Sequence, residues 1–177
     1  MNTARKTFRL LLAPAILIGL VGATDPAPQS EMRFTRVAQG TWAADWTGVA
    51  GKTYFFQKST DLVNWDYAPF MAFGEGEHSY GYTGTSPKYF FRLQHGEFPG
   101  INSLEDAMNA SFAGDGLSNI FKVTYGYDPF SAQSTDDGAD NALDPDGDGM
   151  TNATENAKGL NPMAKDNPKV KLQVVVY

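Results

Sequence analysis

Short apolar runs separated by turn signals fill the first half of the chain. The runs are rich in aromatic and β-branched residues, and several alternate between apolar and polar positions, as strands with one buried face do. In sequence order they are MRFTRV, GTWAADW, KTYFFQKS, YAPFMAF, EHSYGY and KYFFRLQ. The intervening GVAG, TDLVN, GEG and GTSP contain the Gly, Pro, Asn and Asp residues that favour turns. This pattern predicts a mainly β fold, with a small antiparallel β-sandwich over residues 31–96.

Aromatic side chains are the expected core of this module, because each can bury roughly 150–250 Å². An alternative is that they lie exposed on one face and stack against sugar rings, as in a carbohydrate-binding module. The core interpretation is favoured for a module of only about 65 residues. The residues expected in the core are Trp42, Trp46, Tyr54, Phe56, Trp65, Phe90 and Phe91.

The same region resembles a known kind of module. WTGVAGKTYFFQKSTDLVNWDYAP, closed by KYFFRLQ, is similar over roughly residues 40–95 to a β-sandwich module of secreted and surface proteins of Planctomycetes and Verrucomicrobia-type bacteria. In those modules a G-x-x-Y-x-x-x-x-S-T-D-L-x-x-W run is followed by a YFRL-like strand. The resemblance implies a β-sandwich outside the cell, but it does not imply any particular biochemical role.

The pattern changes after HGEFPG, and residues 101–166 are predicted to form a short helical region. Ser103, with Asp106 three residues later, has the spacing of a capping box at the start of a helix. One face of that helix is expected to be apolar and carries Leu104, Ala107, Met108 and Phe112. A last strand is predicted over residues 167–177, where the sequence reads VKLQVVVY.

The acidic segment DPDGDGMTNATE, residues 144–155, matches the EF-hand loop template D-x-[DN]-x-[DN]-G-x₅-E at every specified position. Calcium takes roughly six to eight oxygen ligands, and the lack of nearby His and Cys disfavours zinc and copper. The segment therefore predicts a site for one calcium ion rather than a solvated acidic linker. The predicted ligands are Asp144, Asp146, Asp148, the Met150 carbonyl, Asn152 and Glu155.

The flanks of this loop differ from those of a complete EF-hand. Residues 131–143 are polar, contain Gly138 and show no apolar helical stripe, so no incoming helix is predicted. A helix of about two turns is expected to follow the loop, closed by Gly159 with Pro162 beyond it. A loop with only an exiting helix resembles the bacterial thrombospondin type 3-like repeats, whose pattern is D-x-D-G-D-G-x-x-N-x-x-E-x-x-x-G-x-x-P. The resemblance implies a calcium-binding structural spacer.

A second copy of the pattern lies upstream. GDGLSNIFKVTYGYDP aligns without gaps with GDGMTNATENAKGLNP, which places Asp115 opposite Asp148 at a separation of 33 residues. The upstream ligand positions hold Ser111, Ala113, Asp115, Asn119 and Lys122, so three carboxylates are missing. We expect a copy without metal, in which the Lys122 ammonium group reaches the Asp115 carboxylate. A dockerin-like assembly module needs two working loops, and that alternative is therefore less favoured.

The N-terminal residues predict export. A basic segment precedes the apolar run Leu10–Leu20 and the small residues Val21-Gly22-Ala23, so residues 1–23 are interpreted as a signal peptide and residues 24–30 as a linker. The apolar run is shorter than the roughly 20 residues that span a bilayer, so no membrane span is expected in the mature protein, although a short N-terminal anchor is the alternative. Because the chain has no cysteine, packing or metal binding rather than disulfides must stabilise it.

Charge and the remaining chemistry limit the possible functions. The formal net charge is −6, and residues 101–177 carry twelve acidic and five basic side chains, which argues against a nucleic-acid partner. His78 and His95 have no ligand partner at metal-binding spacing, and no phosphate loop, nucleophile elbow or zinc signature is present. We therefore expect a non-enzymatic calcium-binding structural or adhesive module, secreted, at the cell surface or in the periplasm. Its expected partner is a protein or a glycan, with carbohydrate binding and dockerin-like assembly as alternative functions.

Overall fold

The structure is a computed structural model that describes residues 32–86 and 88–165. The predicted signal peptide, the linker over residues 24–30 and the predicted strand over residues 167–177 lie outside the described residues. Within the described ranges, no helix is both long and apolar enough to cross a bilayer.

Six strands in the described part of the chain form two antiparallel sheets, which confirms the predicted mainly β fold. The strands are β1 (Arg33–Ala38), β2 (Thr41–Gly48), β3 (Lys52–Ser59), β4 (Asp66–Phe73), β5 (Gly76–Thr83) and β6 (Phe90–Glu97). Sheet A has the strand order β1-β2-β5 and sheet B the order β4-β3-β6. Of the predicted turn segments, GVAG and GEG carry the chain from one sheet to the other, and TDLVN joins two neighbouring strands of sheet B.

Aromatic side chains from both sheets pack between them. Trp46, Tyr54 and Phe56 are each 1% exposed and Phe91 is 7% exposed, which confirms four of the predicted core positions. Every Phe, Trp and Tyr side chain in the described residues is buried or half-buried. The aromatic residues serve mainly to join the two sheets.

Three residues predicted for the core, Trp42, Trp65 and Phe90, are only half-buried. Phe90 lies next to Phe91 on β6, and because successive side chains alternate along a strand, only Phe91 joins the cluster between the sheets. Trp65 lies at the end of the β3–β4 loop, where its indole nitrogen donates to the Leu62 carbonyl and the Arg92 guanidinium lies 4.1 Å from its ring centroid. Its ring therefore covers the loop rather than the core.

The β3–β4 loop contains the S-T-D-L-x-x-W motif, and its hydrogen bonds explain that spacing. Asp61 Oδ1 accepts from the backbone N–H groups of Val63 and Asn64, each at 2.8 Å, and from Ser59 Oγ at 2.9 Å. These hydrogen bonds, led by that from Asn64, hold the pKa of Asp61 well below its ordinary value. The loop is closed by its own side chains, and Leu62 adopts a positive φ of 67° within it.

The second face of sheet B is covered by helices. Strand β3 is buried on both faces, because Tyr54 and Phe56 point to sheet A while Phe55 points to the opposite side. There Phe55 packs with Ala107 and Val123, so residues on both sides of the predicted boundary at residues 96–101 share one cluster. The helices are α1 (Leu104–Asn109), α2 (Asn119–Tyr125) and α3 (Asn152–Lys158), with a 3₁₀ turn at Asp140–Ala142.

Helix α1 begins as predicted but is shorter than its apolar pattern indicated. Ser103 is the N-cap, and its hydroxyl oxygen accepts from the Asp106 N–H at 3.0 Å. Ala107 is fully buried, and Met108 and Phe112 pack against the same cluster. Leu104 is 40% exposed, and Phe112, predicted for the same helical face, lies beyond the end of the helix at Asn109. Leu104 is the first residue of a six-residue helix and lies at its outer end.

Tyr67 connects sheet B to the helical layer, and its replacement by phenylalanine tests that connection. The Tyr67 hydroxyl lies 2.5 Å from Gln94 Oε1 and 2.9 Å from Asp128 Oδ1, and burial together with the Asp128 charge raises its pKa, so it stays protonated. We expect Tyr67→Phe to lower the free energy of unfolding by about 1–3 kcal/mol, because it removes a hydrogen bond to a partly buried carboxylate. Urea unfolding would measure this.

The matched control is Tyr80→Phe. Tyr80 is a half-buried tyrosine that packs in the other cluster, between the sheets, and its hydroxyl makes no hydrogen bond with another described residue. Its replacement should change the free energy of unfolding by less than about 0.5 kcal/mol. Equal losses in the two variants would show that the Tyr67 hydroxyl makes no net contribution.

Candidate metal centre

The acidic loop 144–155 follows the 3₁₀ turn, and its last four residues form the first turn of helix α3. Carboxylate oxygens of Asp144, Asp146 and Asp148 lie within 4.8 Å of one another, and these three form the only group in the described residues with metal-binding geometry. The predicted absence of an incoming α-helix is confirmed for residues 131–143, where the structure has a single 3₁₀ turn. The exiting helix is confirmed as α3, which ends at Gly159 in the left-handed conformation with φ 67°.

Backbone N–H groups hold the loop in its curved shape. Asp144 Oδ1 accepts from Gly147 N–H at 3.0 Å and Asp148 N–H at 3.2 Å, while Asp144 Oδ2 accepts from Gly149 N–H at 3.0 Å. Gly147 and Gly149 have φ values of 69° and 94°, a region that favours glycine because it has no Cβ. The alternation of Asp and Gly in the sequence therefore folds the chain around the carboxylate of Asp144.

The other two aspartates complete the cluster. Asp146 Oδ1 accepts from Asp148 N–H at 3.0 Å, and Asp148 Oδ1 accepts from Met150 N–H at 2.8 Å. Asp146 Oδ2 is buried and has no hydrogen-bond partner in the described part of the chain. Burial and the negative charges of Asp148 and Asp144 raise the pKa of Asp146. A buried carboxylate oxygen among like charges is a donor atom that a bound cation would stabilise.

Glu155 is the fourth carboxylate of the loop. It is 0% exposed and belongs to the first turn of α3, where the helix N-terminus favours a negative charge. It is not a member of the group formed by the three aspartates. The structure thus brings three of the predicted ligands together and places the fourth carboxylate in the interior.

Asn152 makes hydrogen bonds within the protein scaffold. Its side-chain nitrogen donates to the Asp140 carbonyl at 2.7 Å and to the Tyr127 hydroxyl at 2.8 Å. Its Oδ1 is buried and has no hydrogen-bond partner in the described residues. The assignment of Asn152 as a metal ligand stays a prediction, and only its oxygen is left for that role.

The upstream copy explains why that oxygen lacks a partner. There Asn119 donates through its side-chain nitrogen to the Ala107 carbonyl at 2.8 Å, and its Oδ1 accepts from the Phe112 N–H at 3.0 Å. The residue 33 positions after Phe112 is Pro145, which has no N–H group. The downstream copy therefore has the hydrogen bond from the side-chain nitrogen of the asparagine and lacks the one to its side-chain oxygen.

Backbone hydrogen bonds repeat at the same interval. The N–H of Asn119 donates to the Ala110 carbonyl at 2.7 Å, and the N–H of Asn152 donates to the Leu143 carbonyl at 2.8 Å. Tyr127 and Leu160 likewise donate to the carbonyls of Lys122 and Glu155, at 2.8 and 2.9 Å. The internal repeat predicted from the alignment is thus also a repeat of hydrogen bonds.

Lys122 is the residue of the upstream copy that corresponds to Glu155. Its predicted contact with Asp115 is confirmed: Lys122 Nζ lies 2.5 Å from Asp115 Oδ2, and the Lys122 side chain is fully buried. Asp115 Oδ1 in turn accepts from Ser111 Oγ and from the Leu117 N–H, each at 3.0 Å. The sequence did not predict that Lys122 also contacts Asp140, which is 18 residues away and outside the repeat alignment.

The two histidines lie on edge strands, one in each sheet. His78 is on β5, with Nε2 3.1 Å from the Gly74 carbonyl oxygen and its ring centroid 5.4 Å from that of Trp46. His95 is on β6, and burial together with the Lys52 charge lowers its pKa. Neither belongs to a metal-binding group in the described residues.

No protein-family model, curated protein or solved structure matches this chain. The resemblances to thrombospondin type 3-like repeats and to the bacterial β-sandwich module stay predictions based on sequence motifs.

Proposed function

We propose that the protein is a secreted, non-enzymatic structural or adhesive module, in which a small β-sandwich supports a helical repeat region that binds one structural calcium ion. The observation that carries this proposal is the cluster of Asp144, Asp146 and Asp148, whose carboxylate oxygens lie within 4.8 Å of one another. The hydrogen bonds of the loop hold these side chains together.

The donor set favours calcium over other cations. Every predicted ligand atom is an oxygen, which suits hard cations rather than zinc or copper. Magnesium keeps several bound waters and uses one or two carboxylates, whereas this loop offers three adjacent carboxylates and a fourth nearby in sequence. The Met150 carbonyl and Asn152 Oδ1 would bring the number of protein ligands within the roughly six to eight that calcium takes.

The upstream copy supports the part assigned to Glu155. Lys122 occupies the corresponding position and contacts Asp115, the counterpart of Asp148. If the downstream copy has the same geometry, the Glu155 side chain would be directed from α3 toward Asp148 and would approach the ion from the helix side. The ion would then connect the loop to α3, and in a chain without cysteine that connection would add to stability.

Thermal unfolding of the mature protein tests this function. Extracellular calcium modules have dissociation constants of roughly 10⁻⁴–10⁻³ M, and a ligand at about 100 times its dissociation constant stabilises the folded state by about 2.7 kcal/mol. We therefore expect calcium at about 10 mM, which is roughly 10–100 times this dissociation constant, to raise the melting temperature by about 3–10 °C relative to chelator, and magnesium to raise it much less. Differential scanning calorimetry would measure the shift, and isothermal titration would give the stoichiometry.

The variant Asp146→Asn with Asp148→Asn keeps the shape of the loop and removes two charges, and it should lose most of the calcium-dependent shift. The control, Asp136→Ala with Asp137→Ala, removes two exposed carboxylates outside the loop and should keep the shift. A wild-type melting temperature that does not respond to calcium or chelator would refute a structural calcium ion.

A further inference from the structure

We propose that Lys122 is a built-in cation: its ammonium group holds the upstream copy together in place of a metal ion, and a latent calcium site lies around it. The proposal concerns the upstream copy and does not depend on calcium binding by loop 144–155. It rests on the oxygen atoms around Lys122 Nζ and on Glu155, the residue that occupies the corresponding position downstream.

The surroundings of Lys122 Nζ resemble the coordination shell of an ion. Four oxygens surround it: Asp115 Oδ2 at 2.5 Å, Asp140 Oδ2 at 3.0 Å, the Asp128 carbonyl at 3.2 Å and the Ser131 carbonyl. An ammonium group has three N–H donors, so the oxygens outnumber the hydrogen bonds that it can make singly. The four oxygens come from three separate segments of the chain, which the cation joins.

The charge of this cluster would suit a divalent ion. A single ammonium group faces two carboxylates, those of Asp115 and Asp140. Their side chains are 3% and 0% exposed. Asp140 is further stabilised by Ser134, whose N–H and hydroxyl donate to its two oxygens at 2.7 and 2.6 Å. One tethered positive charge and these hydrogen bonds replace the two charges that a calcium ion would bring.

The lengths of the lysine and glutamate side chains explain how a calcium ion could take the place of the ammonium group. A glutamate carboxylate oxygen is one bond nearer to the backbone than lysine Nζ. Glutamate at position 122 would therefore leave the space of the ammonium group open, with its own carboxylate facing that space. An ion there would meet the four existing oxygens and the new carboxylate, and water would complete the roughly six to eight ligands of calcium.

The replacement Lys122→Glu in the mature protein tests the proposal. We expect this variant to bind one more calcium ion per chain than the wild type, measured by isothermal titration and native mass spectrometry. Its melting temperature in chelator should fall by about 10 °C or more, because a buried ion pair is replaced by unpaired carboxylates. Calcium should restore most of that loss. An unchanged stoichiometry with no calcium-dependent recovery would overturn the proposal.

The matched control is Lys58→Glu, which makes the same charge change beside Asp66 in an exposed ion pair with an N–O distance of 2.9 Å. It should bind no additional calcium, and a gain equal to that of Lys122→Glu would overturn the proposal. If the wild type binds no calcium and Lys122→Glu binds one ion, the proposed function of loop 144–155 fails while the role of Lys122 is supported.

Two measurements on the wild type apply even if the variant does not fold. In hydrogen exchange, the amides of α2 should be equally protected in calcium and in chelator. Loss of their protection in chelator would overturn the proposal. The intact mass should equal that of the unmodified chain. A mass lower by one water would show that the Lys122 amine has formed an amide with a neighbouring carboxylate, and would equally overturn it.

Discussion

Replacing Phe55 by alanine is expected to lower the free energy of unfolding by about 3–5 kcal/mol, the usual cost of removing a large aromatic side chain from a packed core. Phe55 is 0% exposed and lies between sheet B and the helical layer. Its ring contacts Tyr67, Phe112 and Phe130 edge-on, with centroid distances of 6.3, 6.0 and 5.1 Å. The substitution removes apolar burial on both sides of this interface and leaves a cavity.

Urea unfolding of the mature protein would measure the loss, with Val63→Ala as control. Val63 is 78% exposed in the β3–β4 loop, so its replacement should change the free energy of unfolding by less than about 0.5 kcal/mol. Phe55→Ala should also increase hydrogen exchange in α1 and α2 more than in sheet A. A loss below about 1 kcal/mol would show that the helices do not pack on sheet B as described.

Lys122→Met is expected to cost about 3–5 kcal/mol at neutral pH, because it keeps most of the side-chain volume and leaves buried carboxylates without their cation. Burial by itself would raise the pKa of Asp115, but hydrogen bonds from Lys122, Leu117 and Ser111 lower it below its ordinary value. In the wild type this carboxylate therefore contributes stability above its ordinary pKa, about 3.9, and the contribution is lost as the pH falls through the lower folded value.

The pH dependence of the variant should have the opposite sign. Without Lys122, burial should raise the pKa of the Asp115 carboxyl in the folded state, so protonation stabilises the variant as the pH falls. The difference in free energy between wild type and variant should thus be smaller at about pH 4.5 than at about pH 7. Urea unfolding at both pH values would measure it. Lys58→Met, at an exposed ion pair, should cost at most about 1 kcal/mol at either pH.

The elements and the repeat were largely predictable because they depend on local chemistry. Alternating side chains and turn residues located the strands, the serine at position 103 marked the start of α1, and the glycine at position 159 marked the end of α3. The same holds for the cluster of Asp144, Asp146 and Asp148, since a loop with glycines at fixed spacing brings its own side chains together. These features involve residues close in sequence, so the pattern specifies them.

The sequence by itself thus determined a mainly β chain with an acidic loop and an upstream copy of it that had lost its carboxylates. Only the tertiary structure decided that Phe55 faces helices while Phe56 faces the other sheet, and that Trp65 lies under Arg92 rather than in the core. It also placed Asp140 and two carbonyls around Lys122. Such contacts join segments that are distant in sequence. Which of them form depends on burying all apolar surfaces and pairing all buried charges at the same time, and a local sequence pattern does not show this.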